Sequence, residues 1–336
     1  MAGNKSLGLA AVAELAGVST ATVSNVLNKP SKVRESTRKR VLDAIEATQF
    51  VPNRAAATLR QGNNRMLGLV IPEIVNPFYA EIARGAAEAG DRLDYGIVLC
   101  VSNDDPEREL RQFEMLARQR ASGAMVVPIH ADLGRLAMMR LVGSRLLLVD
   151  RVGPIEEGCS VAIDDVAGGQ LAVEHLIATR GPRIAIVNGD MSIAQCVDRR
   201  EGALLALAAH GYSAGSLAEY EVADMTIAAG REMGLRLADD LPDGIFCTND
   251  QLALGVIRGL AERGVFVPGD VSVVGYGDLA LATETLITLT SVEQPKFDLG
   301  VLAIETLVDE IENIDRHEHR VTMFQPTLVV RESAPN

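Results

Sequence analysis

The chain has 336 residues, which is enough for two or three domains of roughly 100–200 residues each. Its composition, 48% hydrophobic and 4% aromatic, is typical of a soluble α/β protein, and no apolar run approaches the roughly 18 residues of a membrane-spanning helix. The net charge of −13 argues against nucleic acid as a partner, and four scattered cysteines without C-x-x-C spacing indicate neither a zinc site nor a disulfide framework.

The distribution of charge along the chain changes the conclusion about nucleic acid. Residues 1–65 carry ten basic and four acidic side chains, a net charge of +6. Residues 66–336 carry 22 basic and 41 acidic side chains, a net charge of −19. Such asymmetry indicates a nucleic-acid-binding arm on an acidic body, with a solvated basic face as the alternative.

Residues 9–50 predict three helices and no strand. Apolar residues share one face of each helix. They are Val12, Leu15 and Ala16 in the first helix, Val23, Val26 and Leu27 in the second, and Val41, Leu42 and Ile45 in the third. A Gly-Val-Ser turn at 17–19 separates the first two helices, and Ser19 is placed to cap the second. This spacing predicts a helix-turn-helix.

The second of these helices has a polar stripe. Ala21, Asn25 and Asn28 follow the spacing i, i+4, i+7 and therefore lie on one face. A recognition helix places such a stripe in the major groove of DNA, where asparagine can pair with adenine through two hydrogen bonds. The alternative is the polar face of an ordinary helical hairpin.

After Asn63 short apolar runs alternate with amphipathic segments, which predicts parallel sheets covered by helices on both faces. The predicted strands are 66–71, 97–101, 124–127, 146–149, 184–187, 244–247 and 271–274. The predicted helices are 78–94, 106–120, 165–179, 197–210, 226–239 and 249–263. Two sheets fit this length better than one, with the break near 162–164.

Polar residues follow several of the predicted strands. They include Asn76, Asp150, Asn188, Asn249 and the segment 275–278. Ligands of open α/β sheets bind beyond the carboxyl ends of the strands. We therefore expect these residues to converge on a cleft between two lobes.

Several motifs together resemble the lactose-repressor (LacI/GalR) family of bacterial transcriptional regulators. Residues 13–28 match A-x-x-A-G-V-S-x-x-T-V-S-x-V-L-N, and residues 52–60 match the hinge pattern P-N-x-x-A-x-x-L-R. Further matching segments occur in family order, namely NPFYAEI at 76–82, DPERE at 105–109, LAVEHL at 171–176, FCTNDQLALG at 246–255, VPGDVSVVGYGD at 267–278 and VVRES at 329–333.

The resemblance implies an α/β fold with an N-terminal helix-turn-helix headpiece and a two-lobed, periplasmic-binding-protein-like body containing two parallel sheets. The expected headpiece is 1–51 and the expected hinge helix and linker is 52–63. The expected N-terminal lobe comprises 64–161 and 292–322, and the expected C-terminal lobe comprises 162–291 and 323–336.

The resemblance also assigns DNA contacts. It implies that Thr20, Ala21 and Asn25 read bases, and that Thr22, Ser24 and Asn28 contact phosphates. The hinge segment adds contacts from Asn53, Ala56 and Leu59.

The hinge segment is about two helical turns long and is marginal as an isolated helix, so we expect it to fold on binding DNA. Leu59 matches the family's minor-groove wedge, which unstacks bases and bends the duplex. The alternative is a linker leucine that packs on a lobe.

The resemblance assigns the predicted cleft to a small-molecule effector. Arg199 is the expected clamp on effector oxygens, since a guanidinium binds hydroxyl, carboxylate or phosphate groups. The full expected set is Phe78, Tyr79, Asp150, Arg199, Met225, Asn249, Gly277 and Gln294. Three alternatives stay open, because Asn249 could simply cap a helix, Asp150 could pair with Arg151, and Arg199 could lie at the surface.

Two departures from the family pattern bear on the effector. Gly277 stands where the family usually has an aspartate that binds a sugar hydroxyl, and Met225 stands where an aromatic ring often stacks on the ligand. The case for an ordinary pyranose as the effector is therefore weaker, and these departures favour a smaller, more apolar or more anionic effector. The expected classes are sugar, sugar acid, sugar phosphate and nucleoside.

These features predict a cytoplasmic, effector-responsive transcriptional regulator, nucleoid-associated when bound to DNA, and most simply a repressor. It would be a homodimer on a near-palindromic operator of double-stranded DNA, because two-fold protein symmetry matches two-fold DNA symmetry. A dimer is expected because the chain stops soon after 329–333, without an added heptad helix. We expect no enzymatic activity, no cofactor, no metal and no membrane association.

Other functions are less well supported by the sequence. A corepressor-dependent regulator or an activator of the same family is one alternative. A nicotinamide-linked oxidoreductase would use Gly275–Ala280 as a loose G-x-G-x-x-A, with Glu293 as the ribose-binding acid. An exported sugar-binding protein would use Lys5 and the apolar residues after it as a short secretion signal, although Glu14 ends that run.

Overall fold

The computed structural model describes residues 9–28, 30–50, 64–128 and 145–336, with Asn28 described by its backbone alone. The chain divides into two units, 1–64 and 65–336. The expected hinge segment 52–63 lies outside the described residues.

The described part of the first unit contains three α-helices. Its helices are α1 (Leu9–Ala16), α2 (Thr20–Asn28) and α3 (Glu35–Thr48). Ser19 caps α2 as predicted, because its Oγ accepts a hydrogen bond of 3.1 Å from the backbone nitrogen of Thr22. The buried core consists of small and medium apolar side chains, namely Val12, Ala13, Ala16, Val23, Val26, Val41 and Ala44.

Two leucines in this unit are exposed, contrary to the prediction. Leu15 is 59% exposed and Leu42 is 50% exposed. The buried positions beside them are Ala13 and Ala44, and these small side chains let the helices approach closely. No described helix is by itself long and apolar enough to cross a membrane. By length and composition alone, α1 and most of α2 would be long and apolar enough only when taken together, and they are bent by 100° relative to each other.

The second unit contains twelve described strands. They are β1 (Met66–Ile71), β2 (Gly96–Val101), β3 (Gly123–Val126), β4 (Arg145–Val149), β5 (Ser160–Ile163), β6 (Ile184–Asn188), β7 (Leu217–Glu221), β8 (Gly244–Cys247), β9 (Ser272–Gly277), β10 (Thr290–Glu293), β11 (Val321–Phe324) and β12 (Thr327–Val329). Its described helices are α4 (Pro77–Arg92), α5 (Pro106–Arg118), α6 (Asp165–Thr179), α7 (Ala194–Ala209), α8 (Ile227–Leu237), α9 (Asp250–Glu262) and α10 (Lys296–Glu312).

The strands form two six-stranded sheets with matching order. Sheet A has the order β11-β5-β4-β3-β1-β2, and sheet B has the order β12-β10-β9-β8-β6-β7. Neighbouring strands are parallel except for β10 and β12, which are antiparallel. The expected two-sheet α/β body is confirmed, and each sheet reverses its strand order at one point, where α/β proteins bind ligands.

The sequence pattern missed β5, β7, β10, β11 and α10. β7 (LAEYE) and β11 (VTMF) are edge strands whose side chains are mostly exposed or partly buried, so they lack the continuous apolar run used to find strands. β5 is buried and β10 is buried except for Glu293, but each has only four residues, including polar ones. The expected strand at 329–333 begins and ends earlier, at Thr327–Val329.

The chain passes between the two sheets at three places in its described part. β5 belongs to sheet A through Ile163, β10 belongs to sheet B through Glu293, and β11 belongs to sheet A through Phe324. Each crossing therefore lies two residues beyond the expected lobe boundary at 161, 291 or 322. The displacement arises because each expected boundary cuts a short strand that pairs as a whole.

Glycines bring the helices of each sheet layer into close contact. A Cβ on Gly85 of α4 would lie 2.1 Å from the carbonyl oxygen of Phe297, and a Cβ on Gly300 of α10 would lie 2.1 Å from that of Ile82. The α6–α7 pair has the same arrangement, since a Cβ at position 202 of α7 would lie 2.0 Å from a backbone oxygen of α6. These backbone contacts fix the helices that carry the cavity residues described below.

Candidate functional site

A cavity of about 170 Å³ lies within the second unit, at the carboxyl ends of strands from both sheets. At roughly 10–15 Å³ for each water position, it has room for about a dozen waters or one small ligand. The eight residues expected from the sequence to bind an effector all line this cavity, namely Phe78, Tyr79, Asp150, Arg199, Met225, Asn249, Gly277 and Gln294.

Arg199 lies in the wall of the cavity and is only 8% exposed, so it is not a surface arginine. Its Nε donates to Asp165 Oδ1 at 2.8 Å, and its Nη1 donates to the carbonyl oxygen of Thr248 at 2.7 Å. The guanidinium carbon lies 3.8 Å from the ring centre of Tyr276. The Tyr276 hydroxyl also donates to Asp165 Oδ1, at 2.6 Å. These contacts fix the guanidinium and leave Nη2 without an acceptor among the described residues.

Asp150 follows β4 in sheet A and has a φ of 57°, which L-residues rarely adopt. Its Oδ2 and its backbone oxygen both accept from the side-chain amide of Gln195 on α7, at 2.9 and 2.8 Å. The pair with Arg151 that the sequence left open is not formed. Burial, followed by repulsion from the Asp165 carboxylate, raises the pKa of Asp150 to about 8. Its Oδ1 is buried without a partner in the described part of the chain.

Asn249 caps α9, which confirms the structural alternative for this residue. Its Oδ1 accepts from the backbone nitrogen of Leu252 at 2.7 Å, and its Nδ2 donates to the carbonyl oxygen of Met225 at 2.9 Å. The side chain faces the cavity but both of its polar groups already have protein partners. Asn249 therefore holds the Met225 segment against α9.

Gln294 follows β10, and its side chain is 4% exposed. Its Nε2 is buried and has no hydrogen-bond partner among the residues that the structure describes. A side chain at Gly277 would meet this glutamine, since an added Cβ would lie 3.8 Å from its Oε1. Gly277 also has a φ of 122°, a conformation that glycine adopts readily and other residues rarely adopt.

The wall formed by sheet A combines aromatic rings with acidic groups. Asn76 caps α4 by accepting from the backbone nitrogen of Phe78 at 3.1 Å, and Phe78 and Tyr79 pack edge to face. Glu73 and Asp104 also line this wall. Burial, and then the nearby Asp104 carboxylate, raises the pKa of Glu73, and burial raises the pKa of the Tyr79 hydroxyl.

Met225 supplies the apolar part of the opposite wall. Its sulfur lies 3.9 Å from Thr248 Oγ1 and 4.0 Å from Cys196 Sγ. Ile193 and Cys196 line the cavity beside it. A flexible thioether in place of an aromatic ring leaves a wall that can adapt to ligands of different shape.

Lys296 connects the two sheet layers beside the cavity. It is the first residue of α10, which packs on sheet A, yet its Nζ donates to the carbonyl oxygens of Gly277 and Asp278 at the end of β9 of sheet B. The bond to Asp278 is 3.1 Å long. Burial lowers the pKa of Lys296. Together with the Gln195–Asp150 contact, this lysine holds the two layers closed around the cavity.

Sequence reasoning missed three residues that organise the site, namely Gln195, Asp165 and Lys296. A helical spacing could have identified Gln195, because it precedes Arg199 by four residues and lies on the same face of α7. Asp165 and Lys296 contact partners that are distant in sequence, and no local spacing indicates them.

The residues expected to contact DNA lie in the first unit. Thr20, Ala21 and Asn25 are exposed on α2, whereas Thr22 and Ser24 are partly buried. Thr22 Oγ1 lies 2.9 Å from Ser19 Oγ at the helix cap. The side chain of Asn28 and all of Asn53, Ala56 and Leu59 lie outside the described residues, so their expected contacts stay predictions.

The dinucleotide-binding alternative lacks its structural context. The motif requires a helix to begin at the glycines so that its N-terminus faces the pyrophosphate. Here β9 continues through Gly277, and only a three-residue helical turn at Ala280–Ala282 follows. Glu293 accepts a hydrogen bond from Thr327 Oγ1 at 3.0 Å.

Two family descriptions match the chain. "Bacterial regulatory proteins, lacI family" matches residues 9–53, and "Periplasmic binding protein-like domain" matches residues 173–334. The chain is 32% identical over 328 residues to the HTH-type transcriptional repressor PurR of Photobacterium profundum, covering 96% of this chain and 97% of the relative.

Solved structures resemble the protein over nearly its whole length. The lac repressor dimer bound to operator and the anti-inducer ONPF is 25% identical with a TM-score of 0.85, covering 97% of this chain and 98% of that one. The complex of the transcriptional regulator CelR with cellobiose is 31% identical with a TM-score of 0.72, covering 97% and 99%.

Proposed function

Because the chain belongs to the lacI family of bacterial regulatory proteins, it is an effector-responsive, DNA-binding transcriptional repressor and not an enzyme, and we propose that the cavity between its two sheets is the effector site. One observation carries this proposal. Asp150 Oδ1 and Gln294 Nε2 line the same cavity, and both are buried without a hydrogen-bond partner in the described part of the chain. Burying an unpaired polar group costs about 1–3 kcal/mol, so a bound polar ligand would recover that energy.

The chemistry of the walls favours a neutral, hydroxyl-rich effector. Glu73, Asp104 and Asp150 line the cavity, whereas the charge of Arg199 is already paired with Asp165. Because the pKa of Asp150 is raised to about 8, that group is protonated near neutral pH, and an added anionic group would face the carboxyl groups of Glu73 and Asp104 beside one compensated guanidinium. Of the four expected classes, a sugar or a nucleoside therefore fits better than a sugar acid or a sugar phosphate. The similar regulator CelR has been crystallised with cellobiose, which supports a sugar.

Within this cavity, the proposed roles differ among the eight residues expected from the sequence. We assign Asp150, Gln294 and Nη2 of Arg199 to the polar groups of the effector, because these groups retain free hydrogen-bonding capacity. Phe78, Tyr79 and Met225 supply apolar contact. Asn249 acts indirectly by holding the backbone of Met225, and Gly277 leaves space for the ligand beside Gln294.

DNA binding falls to the first unit, which we propose binds a near-palindromic operator as part of a homodimer. The similar lac repressor is a dimer bound to operator, and this supports the assembly. Thr20, Ala21 and Asn25 would read bases, with Asn25 as the main hydrogen-bonding reader because the other two are small. Leu59 would enter the minor groove at the centre of the operator. Such a regulator would act in the cytoplasm, at the nucleoid when bound to DNA.

The effector would act by shifting a population between two arrangements of the body. Two contacts cross the cleft, from Gln195 to Asp150 and from Lys296 to Gly277, and opening of the cleft would break them. At its other end, α10 carries Glu312, whose Oε1 lies 3.4 Å from Nη2 of Arg65. Arg65 immediately precedes β1, so one helix connects the cavity to the point where the chain enters the body.

A ligand screen tests the effector site. Full-length protein is screened by thermal shift against sugars, sugar acids, sugar phosphates and nucleosides. Each hit is then titrated by calorimetry into the wild type, Gln294→Met and Arg199→Lys. Gln294→Met removes the unpaired donor at similar volume, and Arg199→Lys keeps the charge while removing the fork of donors.

We expect a neutral sugar or nucleoside to bind, with affinity about 5-fold to 10-fold weaker in both variants, since a hydrogen bond is worth roughly 1–1.5 kcal/mol. A ligand that binds all three proteins equally would show that the effector site lies elsewhere. Circular dichroism spectra of the variants establish that each remains folded.

A further inference from the structure

A second cluster of buried polar side chains lies in the sheet A layer, apart from the effector cavity. Donor atoms of Cys159, Glu310 and His317 all lie within 4.8 Å of one another. Cys159 directly precedes β5, Glu310 is near the end of α10, and His317 precedes β11. The cluster is therefore at the amino ends of these parallel strands, whereas the effector cavity is at the carboxyl ends.

The imidazole of His317 is held in a metal-binding orientation. Its Nδ1 lies 2.7 Å from Oδ2 of Asp309, and its Nε2 lies 3.1 Å from Sγ of Cys159. Histidines that bind a metal through one nitrogen commonly donate the other N–H to a carboxylate, which fixes the tautomer and the ring. His317 has such a carboxylate in place on the side away from the cluster.

Glu310 adds a buried carboxylate with spare coordinating capacity. The residue is 5% exposed, and its Oε2 has no hydrogen-bond partner among the described residues. Its Oε1 lies 3.9 Å from Nε of Arg145 and 3.5 Å from Nε2 of His319. The Nδ1 of His319 is directed to the carbonyl oxygen of Ile155 at 3.1 Å. His319, like His317, therefore has an acceptor beside one ring nitrogen while the other faces the cluster.

We propose that Cys159, Glu310 and His317 bind one Zn²⁺ ion, with the fourth position taken by His319 or water. Thiolate, imidazole and carboxylate are the ligands that zinc takes in proteins, at about 2.0–2.3 Å and in tetrahedral geometry. Those bond lengths place neighbouring ligand atoms about 3.5 Å apart, so the donor atoms need to shift by about an ångström at most. One thiolate and one carboxylate balance the charge of the ion.

The sequence did not indicate this site because its ligands are far apart in the chain. Cys159 is separated from Glu310 and His317 by most of the C-terminal half, and no short metal-binding spacing appears. The competing interpretation is a metal-free hydrogen bond from the Cys159 thiol to His317. That arrangement leaves the buried Glu310 Oε2 without a partner in the described part of the chain, whereas a cation satisfies all three groups.

Metal binding to the full-length protein tests the proposal. The protein is stripped with a chelator and then titrated with Zn²⁺ in competition with a chromophoric chelator. A parallel titration with Co²⁺ records the near-ultraviolet thiolate charge-transfer band and the visible bands of a tetrahedral site. Cys159→Ser and His317→Gln remove ligands, and Asp309→Asn removes only the carboxylate behind His317.

We expect one Zn²⁺ per chain and a Co²⁺–thiolate band. Loss of a ligand should weaken Zn²⁺ binding more than about 100-fold, and Asp309→Asn should weaken it about 10-fold to 100-fold. Cys100→Ser, on the opposite edge strand of sheet A, and His210→Gln, on the surface, are matched controls that should bind as the wild type does.

Absence of stoichiometric Zn²⁺ binding would overturn the proposal, and so would binding that Cys159→Ser and His317→Gln leave unchanged. Because two different ligands are replaced separately, misfolding of one variant, detected by circular dichroism, leaves the other to decide the question. The readout is metal affinity alone, so it does not depend on the effector site.

Discussion

The side-chain amide of Gln195 bridges the cleft to Asp150, donating to its carboxylate at 2.9 Å and to its backbone oxygen at 2.8 Å. Gln195 lies on α7 beside sheet B, and Asp150 follows β4 of sheet A. One amide thus links both halves of the effector site, and it does so through a residue that also faces the cavity.

Gln195→Ala should loosen this closed arrangement. The substitution removes both bonds, and we expect the unfolding free energy to fall by about 1–2 kcal/mol and the radius of gyration to increase. Urea unfolding and small-angle X-ray scattering measure the two effects. Gln251→Ala is the matched control, because Gln251 lines the same cavity and makes no side-chain hydrogen bond in the described part of the chain. Equal behaviour of the two variants would contradict the assignment.

Asp150 should give the protein a specific pH dependence. Its pKa is about 8 when folded against an ordinary 3.8, so between these values the folded state binds more protons than the unfolded state. The unfolding free energy contributed by this group therefore falls as pH rises from about 4 to about 8. Asp150→Asn should remove that decline in denaturant titrations at several pH values.

Asp105→Asn provides a comparison of opposite sign. Backbone N–H groups of Arg108 and Glu107 lower the pKa of Asp105, the cap of α5. Its stabilising contribution is therefore present above its ordinary pKa and is lost as pH falls. If both variants change the pH profile in the same direction, the assigned role of Asp150 is wrong.

Tyr276→Phe should weaken the support of Arg199. The Tyr276 hydroxyl donates to Asp165, which also holds the guanidinium, and hydrogen bonds to charged groups contribute about 1.5–3 kcal/mol. We expect a loss of that size in unfolding free energy, together with weaker effector binding by calorimetry. Tyr220→Phe is the control, because Tyr220 is only partly buried and its ring contacts Arg236.

Gly300→Ala should destabilise the body far more than an ordinary glycine substitution. The added Cβ would lie 2.1 Å from the backbone oxygen of Ile82, so α4 and α10 would have to separate. Overpacking of this kind costs about 1–3 kcal/mol or more. Gly96→Ala is the control, since its Cβ would meet only the Arg65 oxygen at 3.7 Å. Similar melting temperatures for both variants would contradict the close helix contact.

Asn25→Ala should reduce discrimination between DNA sequences. A side chain that pairs with a base contributes about 1–3 kcal/mol of specificity, whereas phosphate contacts strengthen binding to every sequence. We expect gel-shift affinity for an operator recovered by in vitro selection to fall about 10-fold to 100-fold, with unchanged affinity for random duplex. A parallel loss on both duplexes would assign Asn25 to the backbone instead.

The sequence identified the architecture well because its evidence there is local. Continuous apolar strands such as β1 and β8 were placed within a residue, and Ser19 was correctly identified as a cap. The eight expected effector residues also converge on one cavity, since carboxyl ends of parallel strands share an edge. Edge strands such as β7 and β11 were missed, because half-exposed strands have no continuous apolar run.

Contacts between distant segments could not be predicted from one sequence. Lys296 contacts Gly277 because β9 and β10 are neighbouring strands of sheet B that end at the same edge, and no spacing within either segment encodes that meeting. The same holds for Asp165 and Arg199, whose pairing depends on the close approach of α6 and α7. Asn249 shows that a local role and a place in the site can coincide, because it caps α9 and also lines the cavity.

The three crossings between sheets are short, and two of them are bonded to each other. The backbone nitrogen of Asp164 donates to the oxygen of Phe324 at 3.0 Å, and the Gln325 amide lies 3.3 Å from the Asp164 carboxylate. Any rotation of one layer against the other must therefore be absorbed by a few backbone torsion angles near 164, 295 and 325. We expect substitutions there to change the amplitude of the response while both binding surfaces keep their chemistry.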